Sequence, residues 1–363
     1  MNPVASHDLL ADEHTPDPPA GLDDVRHVRI VLLTGLGDVV HGLPIACAIR
    51  RARPDIRVTW VVEPMPAPIL ERHHAIDRVV PFHKKDGLAG VRALSRQLRG
   101  DRPDLSINFN VYFKSLFPSL LTRAPRRLGF GRDRARDGVW LASTERLSAR
   151  PRAHTQDMFL EFAKALGVAA EPLEWRLTPA AAEREQRDAF FAGIERPVAA
   201  IVPASANALK DWVTERWADV VDRTYHELGL QPVLVGGPSE RERAIASAII
   251  RRAGVPVIDA MGDGVRRMAW LIGGSRVVIA PDTGPVHISR ALGVPVVGLY
   301  GHTNPWRVGP YRAYEDLWID AYTEPDESPD PSRFDPKHNR MERITVDAVI
   351  AKVAVALERY REP

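Results

Sequence analysis

Four short runs in this sequence set ionisable side chains where an apolar strand gives way to a helix. The first is Gly35-Leu36-Gly37-Asp38-Val39-Val40-His41-Gly42-Leu43-Pro44. It approaches the glycine fingerprint of dinucleotide sites, but Val40 stands where the third glycine belongs. A carboxylate at Asp38 would repel a pyrophosphate, so this loop is not expected to cradle one. Asp38 can stabilise the positive end of the helix it opens, or it can take a proton in a cleft. The second run is Pro281-Asp282-Thr283-Gly284-Pro285-Val286-His287. Backbone N–H groups of Thr283 and Gly284 at a helix start form an anion site. Pro285 suits the first turn, and His287 faces the same end. Ordinary capping beside a core histidine would use the same residues. The third run, Pro203–Trp212, supplies the Ser205 hydroxyl and the Lys210 ammonium. Lys210 could neutralise a phosphate or could simply be solvated. In the fourth, Gly236-Gly237-Pro238-Ser239-Glu240, Glu240 could accept bonds from ribose hydroxyls or serve only as an acid at a helix start.

The elements that would position these runs alternate. Val28–Thr34 is a continuous apolar run of buried-strand length, and Val39–Arg53 has helical spacing up to Pro54. Strands are expected at Arg57–Val62, Ile76–Pro81 and Leu105–Phe109, and helices at Leu88–Leu98 and Tyr112–Leu121. A helix at His154–Leu166 and a polar stretch, Ala169–Arg196, follow. The rhythm then restarts. Strands are expected at Val198–Val202, Pro232–Val235, Val255–Ile258, Arg276–Ala280 and Val294–Tyr300. The intervening helices are Thr214–Leu228, with Thr214 as its N-cap, Ser239–Ala253, Val265–Ile272 and Gly284–Leu292. Thr323–Arg340 reads as loop and Val346–Tyr360 as a last helix. Such a βαβα rhythm implies parallel sheets covered by helices. Two α/β units imply a cleft, with ligands at the strands' carboxyl ends against helix N-termini. The expected division is an acidic disordered tail over 1–25, a first unit over 26–170, a linker over 171–196, a second unit over 197–342 and a C-terminal helix over 343–363.

Composition narrows the function classes. The 363 residues are 45% hydrophobic and 26% charged, as in a globular protein rather than a disordered or fibrous one. No run approaches the length needed to span a bilayer. The single cysteine, Cys47, excludes an internal disulfide and argues against a thiolate zinc site. Residues 1–25 hold six acids and no Lys or Arg, unlike an export signal, and a cytoplasmic location is expected. Residues 26–150 carry 23 Lys/Arg against 11 Asp/Glu, and residues 151–363 carry 26 against 30. The basic N-terminal part suggests an anionic partner, or an arginine-rich solvated surface. No nucleic-acid motif accompanies the charge.

The four runs, with Trp60–Pro64, Lys114-Ser115, Tyr300-Gly301-His302-Thr303-Asn304-Pro305 and Gly309-Pro310, resemble glycosyltransferase family 9. Its best-known members are ADP-heptose:lipopolysaccharide heptosyltransferases. The resemblance runs from about Val28 to about Leu357. It implies a GT-B fold, an acceptor-binding N-terminal domain and a donor-binding C-terminal domain. It also implies inverting, metal-independent transfer from an ADP-heptose, with no cofactor. Asp38 matches the family's general base. Lys210 and Ser205 match residues at the donor diphosphate, and Glu240 matches the ribose carboxylate. Asp282, Thr283, Gly284 and His287 match the donor-site motif, and the Met261–Asp263 turn falls where the adenine is held. On the acceptor side Gly37, His41, Lys114, Arg126 and Arg127 are the expected contacts. Arg123, Arg126, Arg127, Arg132, Arg134 and Arg136 are expected along one rim of the cleft. The implied partners are a nucleotide sugar and an anionic glycan or lipid-linked acceptor, with peripheral contact at the inner membrane. This chain lacks the cysteines that many members carry around the segment corresponding to Glu324–Met341, adds the acidic tail, and has Ala206 where some members place a second hydroxyl. The alternatives are a nicotinamide-dependent oxidoreductase, against which Val40 argues, and a non-catalytic nucleotide-sugar-binding protein, against which Asp38 and Lys210 argue.

Overall fold

Two parallel six-stranded sheets carry the chain, and every expected strand run contributes to one of them. The computed structural model describes residues 21–360. The first sheet uses β1 (His27–Leu32), β2 (Arg57–Val62), β3 (Arg78–Pro81), β4 (Leu105–Asn108), β5 (Arg126–Gly129) and β6 (Glu145–Arg146), in the order β3-β2-β1-β4-β5-β6. Its helices are α1 (Leu36–Ala52), α2 (Ala67–Leu70), α3 (Gly87–Gln97), α4 (Leu116–Leu121) and α5 (Thr155–Ala165). After α6 (Ala181–Ala192) the second sheet begins. It contains β7 (Val198–Ile201), β8 (Gln231–Gly236), β9 (Ile258–Met261), β10 (Val277–Pro281), β11 (Val296–Tyr300) and β12 (Ile319–Asp320), in the order β12-β11-β10-β7-β8-β9. Its helices are α7 (Thr214–His226), α8 (Glu240–Arg252), α9 (Val265–Gly273), α10 (Gly284–Leu292), α11 (Pro305–Val308) and α12 (Val346–Arg359). Both strand orders reverse once, between β1 and β4 and between β7 and β10. Ligand crevices of doubly wound sheets open at such reversals.

The strand residues explain the layering. β1, β4, β7, β10 and β11 are buried along their whole length, as expected of sheets covered on both faces. Helix α1 is apolar nearly all round and buried from Val39 to Ile49, because it lies between its own sheet and the second unit. It packs on α5 and α10. One apolar core therefore runs from Val28 and Ile30 through Leu43 to Val278 and Val286. A second core lies under α7, α8 and α12.

Several expectations change. Residues 1–20 of the expected tail lie outside the described residues. Leu22 and Val25 are buried in the first core, so residues 21–25 belong to the domain. The expected linker contains α6, which buries no residue completely and so lacks an apolar period. It packs against α9. Val213, not Thr214, holds the N-cap position of α7, and Thr214 is its first helical residue. The short strand expected at Val255–Ile258 lies three residues later, at β9. Strands β5 and β6 were not expected. Their arginine- and glutamate-bearing sequences hide the apolar signal.

Candidate functional site

The carboxyl ends of both sheets face one cleft with about 570 Å³ of free volume, within the usual range for small-molecule sites. Helices α1 and α10 start on opposite walls and nearly touch. A Cβ placed on Gly37 would lie 2.5 Å from His287 Cδ2, and one on Gly284 would lie 2.8 Å from Leu36 Cβ. Only glycine allows this approach. The positive ends of two helix dipoles therefore converge on the same space.

Asp38 lies in the first turn of α1, half-buried and lining the cleft. Among the described residues its carboxylate has no hydrogen bond or ion pair within the protein. Two cations surround it at longer range. Lys114 feels its charge, and so does Arg307. Burial lowers the pKa of both, with Glu63 the first opposing charge at Lys114 and Asp38 at Arg307.

The opposite wall holds a second aspartate in another state. Asp282 is buried and accepts hydrogen bonds from Lys210 Nζ at 2.6 Å and Thr303 Oγ1 at 2.8 Å. Its Oδ1 is 4.0 Å from His287 Nε2. Burial alone would raise its pKa, but Lys210, His287 and the two donors outweigh burial and hold it below the usual carboxylate range. Lys210 ends a short turn fixed by its neighbours. Ser205 donates to the Asn207 carbonyl, Asn207 caps Leu209, and Asp211 holds the Ser205 N–H. Arg241 clamps Asp211 and the Ser205 carbonyl.

Three buried histidines cluster between the walls. The His41 ring is 4.4 Å from that of His287 and 5.7 Å from that of His154. His154 Nε2 donates across the domains to the Gly309 carbonyl at 3.0 Å, while its Nδ1 accepts from Gln156 N. His41 Nδ1 meets Gln156 Oε1 at 2.9 Å. Burial lowers the pKa of all three, to about 3 for His154, so they are neutral near pH 7. Among the described residues His41 Nε2 and His287 Nδ1 have no hydrogen-bond partner, and both side chains line the cleft.

Of the expected residues, Gly37, Asp38, His41, Ser205, Lys210, Asp282, Thr283, Gly284 and His287 all line this cleft. Others do not. Glu240 is exposed at the start of α8, and Glu242, one half-turn on, lines the cleft instead. The cause is capping. Ser239 is the N-cap, and Glu242 reaches back to the Ser239 hydroxyl and the Gly237 N–H. Met261 is buried behind Gly236, and Asp263 is exposed and paired with Arg267. Gly264, Val265 and Met268 supply that wall. Lys114 pairs with Glu63 at 3.5 Å beside the cleft. Arg126 and Arg127 open β5, at the edge of the sheet opposite the cleft. Arg126 bonds Glu145 and the Gly21 carbonyl, and Arg127 the carbonyls of Ala142 and Ala124. Arg134 is buried against Glu161. The expected rim of arginines is thus partly internal wiring. Arg307 was missed, although it follows Tyr300–Pro305 directly. Cys47, His73 and His74 bring possible ligand atoms within 4.8 Å of one another. Both ring nitrogens of His73 are already hydrogen-bonded, and burial pushes the Cys47 thiol up to about 12, which makes a poor metal site.

Two Rossmann-like units that share one cleft, with the site split between them, form a GT-B glycosyltransferase architecture. The sequence profile of Glycosyltransferase family 9 (heptosyltransferase) matches residues 91–334, and the chain belongs to that family. It is 30% identical to the lipopolysaccharide core heptosyltransferase OpsX of Haemophilus influenzae over 300 residues, covering 82% of this chain and 85% of that protein. It is 29% identical to lipopolysaccharide heptosyltransferase 1 of Pseudomonas aeruginosa, covering 78% and 81%. Among solved structures, Escherichia coli heptosyltransferase WaaC with ADP superposes with a TM-score of 0.72 at 22% identity, over 91% and 99% of the two chains. The Veillonella parvula family 9 glycosyltransferase gives 0.74 at 22%, over 92% and 97%. The chain is therefore a glycosyltransferase, which sets aside the oxidoreductase and non-catalytic alternatives.

Proposed function

We propose that this enzyme transfers a heptosyl residue from an ADP-heptose to a hydroxyl of the lipopolysaccharide core, with inversion at the anomeric carbon. The relatives named above are called lipopolysaccharide heptosyltransferases, and one of the solved structures holds ADP. The observation that carries the mechanism is the pairing of unlike walls across one cleft. Asp38, without a hydrogen-bond or ion-pair partner among the described residues, faces Lys210 and the start of α10.

An acceptor hydroxyl bound against α1 passes its proton to an Asp38 carboxylate oxygen as its own oxygen bonds the anomeric carbon. The bond from that carbon to the β-phosphate oxygen breaks, and its electron pair leaves with ADP. The growing negative charge meets Lys210 and the N–H groups at Thr283–Gly284. Lys210 has to shift from Asp282 toward the diphosphate, and Thr303 remains hydrogen-bonded to the Asp282 carboxylate. These cations and dipoles supply charge stabilisation without a divalent ion, and turnover is expected to persist in EDTA. Glu242, with Gly236 and Gly237, forms the wall available to the ribose. The work takes place in the cytoplasm, on an acceptor carried by lipid. No helix of the described residues is long and apolar enough to cross a membrane.

The test is a donor panel of ADP-, UDP- and GDP-sugars with a core acceptor, read by nucleotide release and product mass. ADP-heptose should be consumed with one ADP freed per heptose added. Preference for a UDP- or GDP-sugar, or loss of all turnover in EDTA with recovery in Mg²⁺, would contradict the proposal.

A further inference from the structure

The N-terminal domain exposes an apolar patch that no element of the described residues covers. Phe113 is 46% exposed, Phe117 53%, Leu120 44% and Leu141 61%. Phe113 lies in a turn that runs into α4, so Phe113, Phe117 and Leu120 follow the i, i+4, i+7 spacing of one helix face. The rings of Phe113 and Phe117 touch edge to face at 5.9 Å. The turn bearing Leu141 packs against α4. Four large apolar side chains clustered on one surface are unusual for a soluble domain and mark an interaction site.

The surroundings select the partner. Helix α3 packs against α4. Lys85, Arg92, Arg96 and Arg123 are exposed around these elements, and none forms an ion pair among the described residues. Residues 83–123 hold eight Lys/Arg and three Asp/Glu. Asp101 is taken up by Arg29, Arg57 and Arg78, and Asp104 by the backbone of Arg26 and His27. Asp86 is the one exposed carboxylate of that stretch among the described residues. Aromatic and leucine side chains flanked by free cations match an anionic bilayer surface. A second copy of the same basic face would be repelled. The patch also adjoins the site. Lys114, next to Phe113, pairs with Glu63 and feels the charge of Asp38, and Met65 is both exposed and on the cleft wall.

We infer that Phe113, Phe117, Leu120 and Leu141 dock the enzyme on an anionic lipid surface, with the mouth of the cleft turned toward that surface. The inference rests on the proposed lipid-borne acceptor, and its test separates the two. The full chain is sedimented with vesicles of phosphatidylcholine alone or with about one third phosphatidylglycerol. The wild type should partition onto the anionic vesicles at least about tenfold better. Phe113→Ser/Phe117→Ser and, separately, Leu141→Ser should lose most of that partition while keeping the wild-type melting temperature. Arg96→Glu/Arg123→Glu should lose the preference for the anionic lipid. Transfer to a deacylated, water-soluble acceptor should be unchanged in all three. Absence of wild-type binding to anionic vesicles overturns the inference. So does equal binding by folded patch variants, or a dimer that those variants dissolve with no vesicle binding. Failure of the wild type to use any ADP-heptose would instead contradict the proposed function and leave the vesicle result standing.

Discussion

Two aspartates sit at two facing helix starts, and their surroundings make them different reagents. Asp38 lies inside the first turn of α1, half-buried, with no hydrogen bond or ion pair from the described residues. Asp282 precedes the first turn of α10 and is buried under Lys210, Thr303 and His287. A carboxylate with free lone pairs at a cleft wall can accept a proton from a substrate. One whose Oδ2 already accepts from an ammonium and a hydroxyl is held as an anion and acts by placing the ammonium. The same residue type at two strand-to-helix junctions thus divides into a candidate base and a phosphate-site organiser.

Removing the free carboxylate should give the largest effect. Asp38→Asn should lower kcat by about 10²–10⁴-fold and leave ADP affinity by calorimetry near wild type. A loss within tenfold would remove Asp38 from the base role. Lys210→Ala is next. Losing one charge-assisted phosphate contact should weaken ADP binding about 10–100-fold and slow turnover. Unchanged ADP affinity would mean that Lys210 stays on Asp282 in the complex. Gly37→Ala pushes a methyl group toward the buried His287 ring, 2.5 Å away. It should wedge the helix starts apart and change kcat and KM together by several-fold, a pattern that crystallography of the variant would check.

The histidines between the aspartates predict a pH effect with a definite sign. His41, His154 and His287 have folded-state pKa values below the ordinary value near 6.5. In the window from about 6.5 down toward their folded values the unfolded chain binds more protons, so stability falls as pH falls. His154, at about 3, defines the low end. Asp282, also lowered, adds stability above the ordinary carboxylate value that is lost only at still lower pH. The midpoint of urea unfolding should therefore decline from pH 6.5 to pH 4. His154→Gln should flatten that decline by up to ~1.4 kcal/mol per pH unit. A slope that is unchanged would show that this histidine does not carry the effect.

The smallest effect concerns the basic half. Arg127→Gln removes the donor to the carbonyls of Ala124 and Ala142 and should cost about 1 kcal/mol of stability. The acceptor KM should stay flat. A raised acceptor KM would restore the role expected from charge density alone.

Much of this was legible in the sequence because it is written in local patterns. Buried parallel strands read as apolar runs, and Asp38, Lys210 and Asp282 each follow one. What failed depends on direction and register. Glu240 and Glu242 both open α8, and only the reciprocal bond with Ser239 decides which one turns inward. Arg126 and Arg127 look like a surface patch until β5 places them at the far edge of the sheet. Helix α6 lacked a period because it buries no residue completely. The histidine cluster joins residues more than a hundred positions apart, and no spacing rule encodes that.

Direct displacement, assisted from two unlike walls, fixes the stereochemistry of the product. Proton NMR of the anomeric centre during turnover, with the wild-type enzyme, ADP-heptose and a core acceptor, tests it most directly. A glycosidic linkage of configuration opposite to that in the donor should appear in step with ADP. A linkage of retained configuration, or ADP release without a glycosylated acceptor, would contradict it.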